Sequence, residues 1–389
     1  MSDDRLAAVE TFLVAPRWIF VRVSTGDGYL GWGEAIVPKR ARAVQGAVAD
    51  LAGNVVGTDP DRIEELAQRM RRGGFFRHGP VLATAAAAIE QALWDIKGRR
   101  YGLAVHDFLG GAVRERIRAY AWVGGDRPRD VVEHVEQRVA QGFSMVKMNA
   151  TEEFDYIERG SQVTEVVQRI ASIRDAVGDT VDVALDFHGR VHRGMAKVLL
   201  RELEPFRPAW IEEPLGPGHD DALPALAAFG SAIPIATGER LTSRWDVKGL
   251  LAHGVVDVLQ PDVSLTGIFE LEKIARMAEA YDVAVAPHCP NGPISLAASL
   301  QVGAAAGNVV VQEQSLGLHY NAGYDDLPPG ELFDYLHDPE PLTPRDGHLP
   351  RPIGPGLGVE VAEDAVRASP QWTLQDADWR HPDGRIAEW

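Results

Sequence analysis

Residues 181–214 read VDVALDFHGRVHRGMAKVLLRELEPFRPAWIEEP. An apolar run ends in Asp186, Phe187 and His188, gives way to the amphipathic MAKVLLRELE (195–204), and is followed by a second apolar run, AWIEEP (209–214), that carries Glu212. Strand, helix and strand in so short a span form the β/α unit of a parallel sheet. The same alternation continues outward on both sides. AYAWVGG (119–125) and MVKMNA (145–150) precede it, and IPIATGE (233–239), VVDVLQPDVS (255–264), VAVAPHCP (283–290) and VVVQEQSL (309–316) follow. Helical patterns such as DVVEHVEQRVAQG (130–142), VTEVVQRIASIRDAVG (163–178) and IFELEKIARMAEAYD (268–282) lie between. Eight such strands are the count at which a parallel sheet closes into a TIM-like α/β barrel, an open doubly wound sheet being the alternative.

The ends of the chain have a different character. LAAVETFLVA (6–15) and WIFVRVST (18–25) lead through Gly26-Asp27-Gly28 into YLGWGEA (29–35), an antiparallel meander. DRIEELAQRM (61–70) and the alanine-rich VLATAAAAIEQALWDIKGR (81–99), with Trp94 on its core stripe, read as helices. The expected layout is therefore an α+β unit over residues 1–115, a barrel over 116–338, and a return segment over 339–389 that packs on the first unit. Six prolines between Pro339 and Pro355 exclude regular structure from most of that return.

Composition narrows the function. The 389 residues are 45% hydrophobic and 24% charged, an ordinary globular balance, and the net charge of −17 excludes the basic footprint that nucleic acid requires. One cysteine, Cys289, forbids an internal disulfide and fits a reducing cytoplasm. No apolar run approaches a membrane span, so no membrane partner is expected. The pattern G-x-G-x-x-G occurs in GDGYLG (26–31), but Trp32, Gly33 and Glu34 continue a strand where a dinucleotide site needs a helix.

The chemistry lies at the strand ends. Asp186 and His188 end the third barrel strand, Glu212 the fourth, Glu239 the fifth, Asp262 the sixth, His288 the seventh and Glu313 the eighth. From Asp186 onward the acidic residues and His288 recur at intervals of 23–27 residues, one β/α unit each, which places them at one height on the C-terminal face where barrel enzymes hold their sites. A lone carboxylate at such a junction is as readily a helix cap, but a cap on every strand from the third to the eighth is a poor account. Asp186, Glu212 and Glu239 would repel one another unless a cation sat among them, and three hard oxygen donors suit Mg²⁺ or Mn²⁺ better than zinc. His188 shares a face with Asp186 by strand alternation, and His288 comes from the far side of the barrel. Two imidazoles flanking one substrate suit a base and an acid, with Asp262 placed to orient His288.

These phrases resemble the enolase superfamily, mandelate racemase subgroup, along essentially the whole chain. WDIKG (94–98), LDFHGR (185–190), WIEEP, ATGER, the QPD ending at Asp262, and PHCP match that family in order. Within it the likeness is to dehydratases of sugar acids, carried by PRWIF (16–20), WVGGDRP (122–128), APHCP with GPI, VQEQS (311–315) and GPGLGVEV (354–361). The resemblance implies a (β/α)₇β barrel under an α+β capping domain built from both chain ends, and a homo-oligomer. It implies proton abstraction beside a carboxylate by His288, with Asp262 in support, to a metal-stabilised enediolate, and His188 as the acid for a departing hydroxyl. Lys147 and Glu313 would flank the substrate carboxylate. Asn149 stands where the family's racemases carry a second lysine, which favours elimination of water over epimerisation and leaves Asn149 to hold a substrate hydroxyl. Arg17 and Trp18 would contribute specificity from the capping domain. The stretch Ser264–Ile268, and Asn291 after PHCP, depart from the family pattern. C2 epimerisation by two histidine bases, and sugar-acid binding without turnover, are the competing readings.

Overall fold

The computed structural model describes residues 4–77, 79–316, 330–370 and 379–388. The chain opens with the antiparallel meander β1 (Leu6–Val14), β2 (Trp18–Thr25) and β3 (Leu30–Ala35). Helices α1 (Ala41–Val55), α2 (Ile63–Arg72) and α3 (Pro80–Tyr101) follow, then the short α4 (Val105–Phe108). The small side chains of α3 let it lie directly on β3: a Cβ on Gly31 or Gly33 would overlap the carbonyl oxygens of Ala92 and Ala88. The third glycine of GDGYLG thus serves helix–sheet packing. Trp94 is buried, with its ring 5.4 Å from that of Phe269.

The barrel strands are β4 (Arg116–Trp122), β5 (Met145–Asn149), β6 (Asp182–Asp186), β7 (Ile211–Glu212), β8 (Ile235–Thr237), β9 (Val258–Leu259), β10 (Ala284–Val285) and β11 (Gln312–Glu313). Between them run α5 (Val131–Ala140), α6 (Gly160–Val177), α7 (Arg193–Leu203), α8 (Leu223–Ala227), α9 (Arg244–His253), α10 (Val263–Ala280) and α11 (Pro293–Ala305). Neighbouring strands are parallel from β4 to β10, β11 pairs with β4, and a parallel bridge between Val285 and Val309 closes the ring. This is a (β/α)₇β barrel. Its floor is one buried cluster of Tyr120, Met145, Ala184, Trp210, Ala236, Val258, Ala286 and Val311, each lying in a different barrel strand or directly next to one. Because strand side chains alternate, residues two positions further on point into the same lumen one layer higher. For Met145, Ala184, Trp210, Ala286 and Val311 those residues are Lys147, Asp186, Glu212, His288 and Glu313.

The proline-rich return contributes one short strand, β12 (His348–Pro350), antiparallel to β4, an edge position that tolerates proline. Helix α12 (Glu363–Ala368) lies against β1, with Arg22 2.7 Å from Glu363, and Ser369 Oγ accepts from the Ala15 amide at 3.0 Å. Further on, Arg385 meets Asp155 at 2.6 Å and the Trp379 ring lies 3.9 Å from the Arg127 guanidinium, so the tail also touches the loops after β4 and β5. Among the described residues no helix is long and apolar enough to cross a membrane.

Two buried carboxylates tie the first unit to the barrel. Glu34 on β3 accepts from the amides of Gly292 (2.6 Å) and Ser295 (3.0 Å) at the start of α11. Glu90 on α3 accepts from Ile268 (2.8 Å) and Phe269 (3.0 Å), where Gly267 interrupts α10. Helix starts offer unpaired amides and positive potential, so each carboxylate has a fitting partner. Burial still outweighs these bonds and raises both groups to about 7. A folded-state pKa above the unfolded value stabilises at acid pH, and the contribution is lost as pH climbs from the unfolded value through about 7. Glu34→Gln is therefore expected to flatten the decline of stability between pH 5 and 7 by up to about 1.4 kcal/mol per pH unit, the share of one group. Urea titrations of both proteins across that range measure it, and parallel pH profiles would contradict the assignment.

Candidate active site at the barrel mouth

The lumen layer above the floor holds the charged groups. Asp186 ends β6 and Glu212 ends β7, both buried. Glu239 follows β8 through Gly238, whose φ of +137° and close approach to the Gln260 backbone admit only glycine. Ligand oxygens of Asp186, Glu212 and Glu239 all lie within 4.8 Å of one another. Lys147 reaches between two strands, 2.6 Å from Glu212 Oε1 and 3.0 Å from Glu313 Oε1. Its ammonium also faces the rings of Tyr120 and Trp122 at 5.4 and 5.3 Å. Burial alone would neutralise this lysine, but Glu212 and Glu313 outweigh it and hold the group charged.

One lysine does not balance this site. Burial and the neighbouring Glu212 charge push Asp186 well above the usual carboxylate range, against the pull of Lys147. Burial also works against the charge on Glu239, but the cationic groups around it, His288 first, hold that carboxyl at about 2. Burial lowers His288, while Glu313, Glu239 and Asp262 more than reverse this and raise the imidazole to about 10. Glu239 Oε2 is buried with no hydrogen-bond partner. A cation among the three carboxylates would relieve all of these strains, and hard oxygen donors at this spacing fit a small divalent ion.

The two histidines stand differently. His288 Nδ1 is 2.7 Å from Asp262 Oδ2, and its Nε2 faces Glu239 at 3.4 Å and Glu313 at 3.9 Å. A carboxylate only accepts, so the ring proton lies on Nδ1 and a neutral ring presents a lone pair inward. Asp262 is held in turn by the Ser264 amide at 2.7 Å and by Asn291 Nδ2, which donates to both its oxygens at 2.9 and 3.0 Å. Glu313 Oε2 accepts from the Cys289 amide at 2.8 Å. His188 follows Asp186 in left-handed backbone, φ +51°, and its amide donates to Asp186 Oδ1 at 2.6 Å.

Asn149 is fully buried; its Nδ2 donates to the Asp126 carbonyl at 3.1 Å and its Oδ1 has no partner. Arg17 donates to the Pro290 carbonyl at 2.9 Å, directly beside the His288 loop. Beside Arg17 in the chain stands Trp18. It begins β2 and is fully buried against Phe20, Tyr335 and Gly292, beneath that loop. Three participants escaped the sequence reading: Gln260, whose Nε2 donates to Glu212 Oε2 at 2.6 Å, Asn291 as a partner of Asp262, and Arg190 beside His188.

Residues 7–110 match the model for the N-terminal domain of mandelate racemase and muconate lactonizing enzyme, and residues 130–365 match the enolase C-terminal domain-like model. The chain belongs to the enolase superfamily. Two superfamily relatives, the D-galactonate dehydratases of Xanthomonas oryzae pv. oryzae (strain PXO99A) and Pectobacterium atrosepticum, are 47% and 46% identical to it over 390 residues, spanning 99% of this chain and 100% of theirs. Among solved structures, an enolase from Agrobacterium radiobacter with bound sodium and L-malate superposes with a TM-score of 0.88 at 30% identity, covering 98% of this chain and 99% of the other. A superfamily member from Salmonella Typhimurium gives 0.85 at 28% identity, covering 95% and 100%.

Proposed function

We propose that this superfamily member is a hydro-lyase that removes water from D-galactonate to give 2-dehydro-3-deoxy-D-galactonate. Asp186, Glu212 and Glu239 hold Mg²⁺, which Mn²⁺ can replace. The observation that carries the reading is the convergence of Asp186, Glu212 and Glu239 with His288, backed by Asp262 and 3.4 Å from Glu239, while the His188 amide is tied to Asp186. The near-identical length and 47% identity shared with D-galactonate dehydratases support the substrate.

A proton beside a carboxylate is barely acidic, because its removal leaves a dianionic enediolate. Mg²⁺, when bound, supplies the positive charge that makes this dianion accessible. Lys147 adds a fixed ammonium beside Glu212 and Glu313, where the substrate carboxylate would lie. The lone pair of His288 Nε2 takes the C2 proton, and Asp262 stabilises the imidazolium that forms. The enediolate electrons then form the C2–C3 double bond as the C3–O bond breaks. His188 gives the departing hydroxide its proton, and water leaves. The enol takes a proton at C3 and becomes the 2-oxo acid. Asn149, in place of a second lysine on β5, offers an unpartnered buried oxygen to a substrate hydroxyl.

The purified protein incubated with D-galactonate and Mg²⁺ is expected to yield a semicarbazide-reactive 2-oxo acid, and chelation is expected to stop it. Epimerised aldonate without 2-oxo acid would overturn the proposal.

A further inference from the structure

Arg190 is among the largest fully buried side chains in the described molecule, at 1% exposure. Its Nη1 donates to the carbonyls of Asp126 (2.8 Å) and Thr151 (3.0 Å), which belong to the loops after β4 and β5. Its Nη2 lies 3.2 Å from His188 Nδ1. Asn149 donates to the same Asp126 carbonyl, so one node joins three neighbouring strand ends. A guanidinium has donors and no acceptor. His188 Nδ1 is therefore the acceptor, and its ring proton resides on Nε2, the nitrogen farther from Arg190.

That is the opposite of His288, whose Nδ1–H is fixed by a carboxylate that only accepts. The two rings thus present complementary nitrogens: a lone pair on His288 and an N–H on His188. We propose that Arg190 is the positioning residue of the elimination half-reaction, clamping His188 in the tautomer that offers Nε2–H to the leaving hydroxyl. The proposal rests on the dehydratase reading for its substrate, but the tautomer stands on the geometry alone. As Nε2–H passes its proton to the departing hydroxide, negative charge develops on the ring, and a fixed guanidinium at Nδ1 meets it without reorganisation. A neutral imidazole acting as the donor is established chemistry elsewhere. Burying a guanidinium is costly, and an apolar side chain would fill the same volume more cheaply, so packing is a poor account of its presence.

The competing account is that Arg190 only staples three loops. Arg190→Gln and Arg190→Lys, each checked for folding and Mg²⁺ binding, distinguish the two when D-galactonate is incubated in D₂O. Arg190→Gln is expected to dehydrate at least about a hundredfold more slowly, the lower end for a lost acid. It is expected to keep exchanging the C2 proton of unreacted D-galactonate at a rate within about threefold of wild-type turnover, with Arg190→Lys intermediate. Exchange and dehydration falling together in both variants, or neither falling, would overturn the proposal. The ¹⁵N spectrum of histidine-labelled wild-type holoenzyme, assigned against His188→Asn, is an independent check. It should show the Nε2–H tautomer, and a proton on Nδ1 would refute the clamp whatever the substrate. If wild type leaves D-galactonate untouched, the substrate reading fails and that spectrum alone decides.

Discussion

His288→Asn is expected to lower dehydration on the order of 10⁴-fold and to abolish exchange of the C2 proton. Asparagine keeps an N–H for Asp262 but offers no basic nitrogen to the lumen, so the variant removes the base while leaving its support. General-base catalysis contributes about 10²–10⁴-fold, and the upper end applies because a proton α to a carboxylate is a very weak acid. His188→Asn is the mirror case: comparable loss of dehydration, with C2 exchange retained because the base is intact. Proton NMR of D-galactonate in D₂O reads both variants at once. Exchange surviving in His288→Asn, or dehydration surviving unimpaired in His188→Asn, would reverse or remove the assigned roles.

The second large effect is expected at Asp186. Burial and the charge of Glu212 already push this carboxyl well above its usual range, so the cluster without a cation is strained by like charges. Asp186→Asn should weaken Mg²⁺ binding by about a hundredfold or more, at or beyond what changes outside the ligand set produce. The same substitution should leave the metal-free protein at least as stable as wild type at neutral pH, because it relieves repulsion. The sign follows from linkage: a carboxyl with a raised folded-state pKa subtracts stability once pH passes its unfolded value. Calorimetric Mg²⁺ titrations and melting in chelator test the two halves. A less stable apo-protein that binds Mg²⁺ normally would mean that Asp186 is a structural residue.

The fold and the acidic triad were legible in the sequence for one reason. Strand side chains alternate with period two, so Asp186 sits two residues beyond the floor residue Ala184, and Glu212 two beyond Trp210. Equal spacing along the chain then becomes equal height in the barrel. Arg190 and Asn291 were not legible as partners because they act after the strands have ended. His188 and Gly189 turn through left-handed backbone, φ +51° and +66°, and no periodicity predicts where a long side chain goes after such a turn. Glu34 and Glu90 were hidden for a different reason. Each looks like an ordinary polar residue of its element, while its partners lie 258 and 178 residues away at helix starts.

Locating the ion tests the central claim most directly. Crystals grown with Mn²⁺, which scatters anomalously, should show a single strong anomalous peak bounded by oxygens of Asp186, Glu212 and Glu239 at about 2.0–2.2 Å, a small-cation distance. A peak elsewhere in the molecule, or none among those three carboxylates at saturating Mn²⁺, would contradict it.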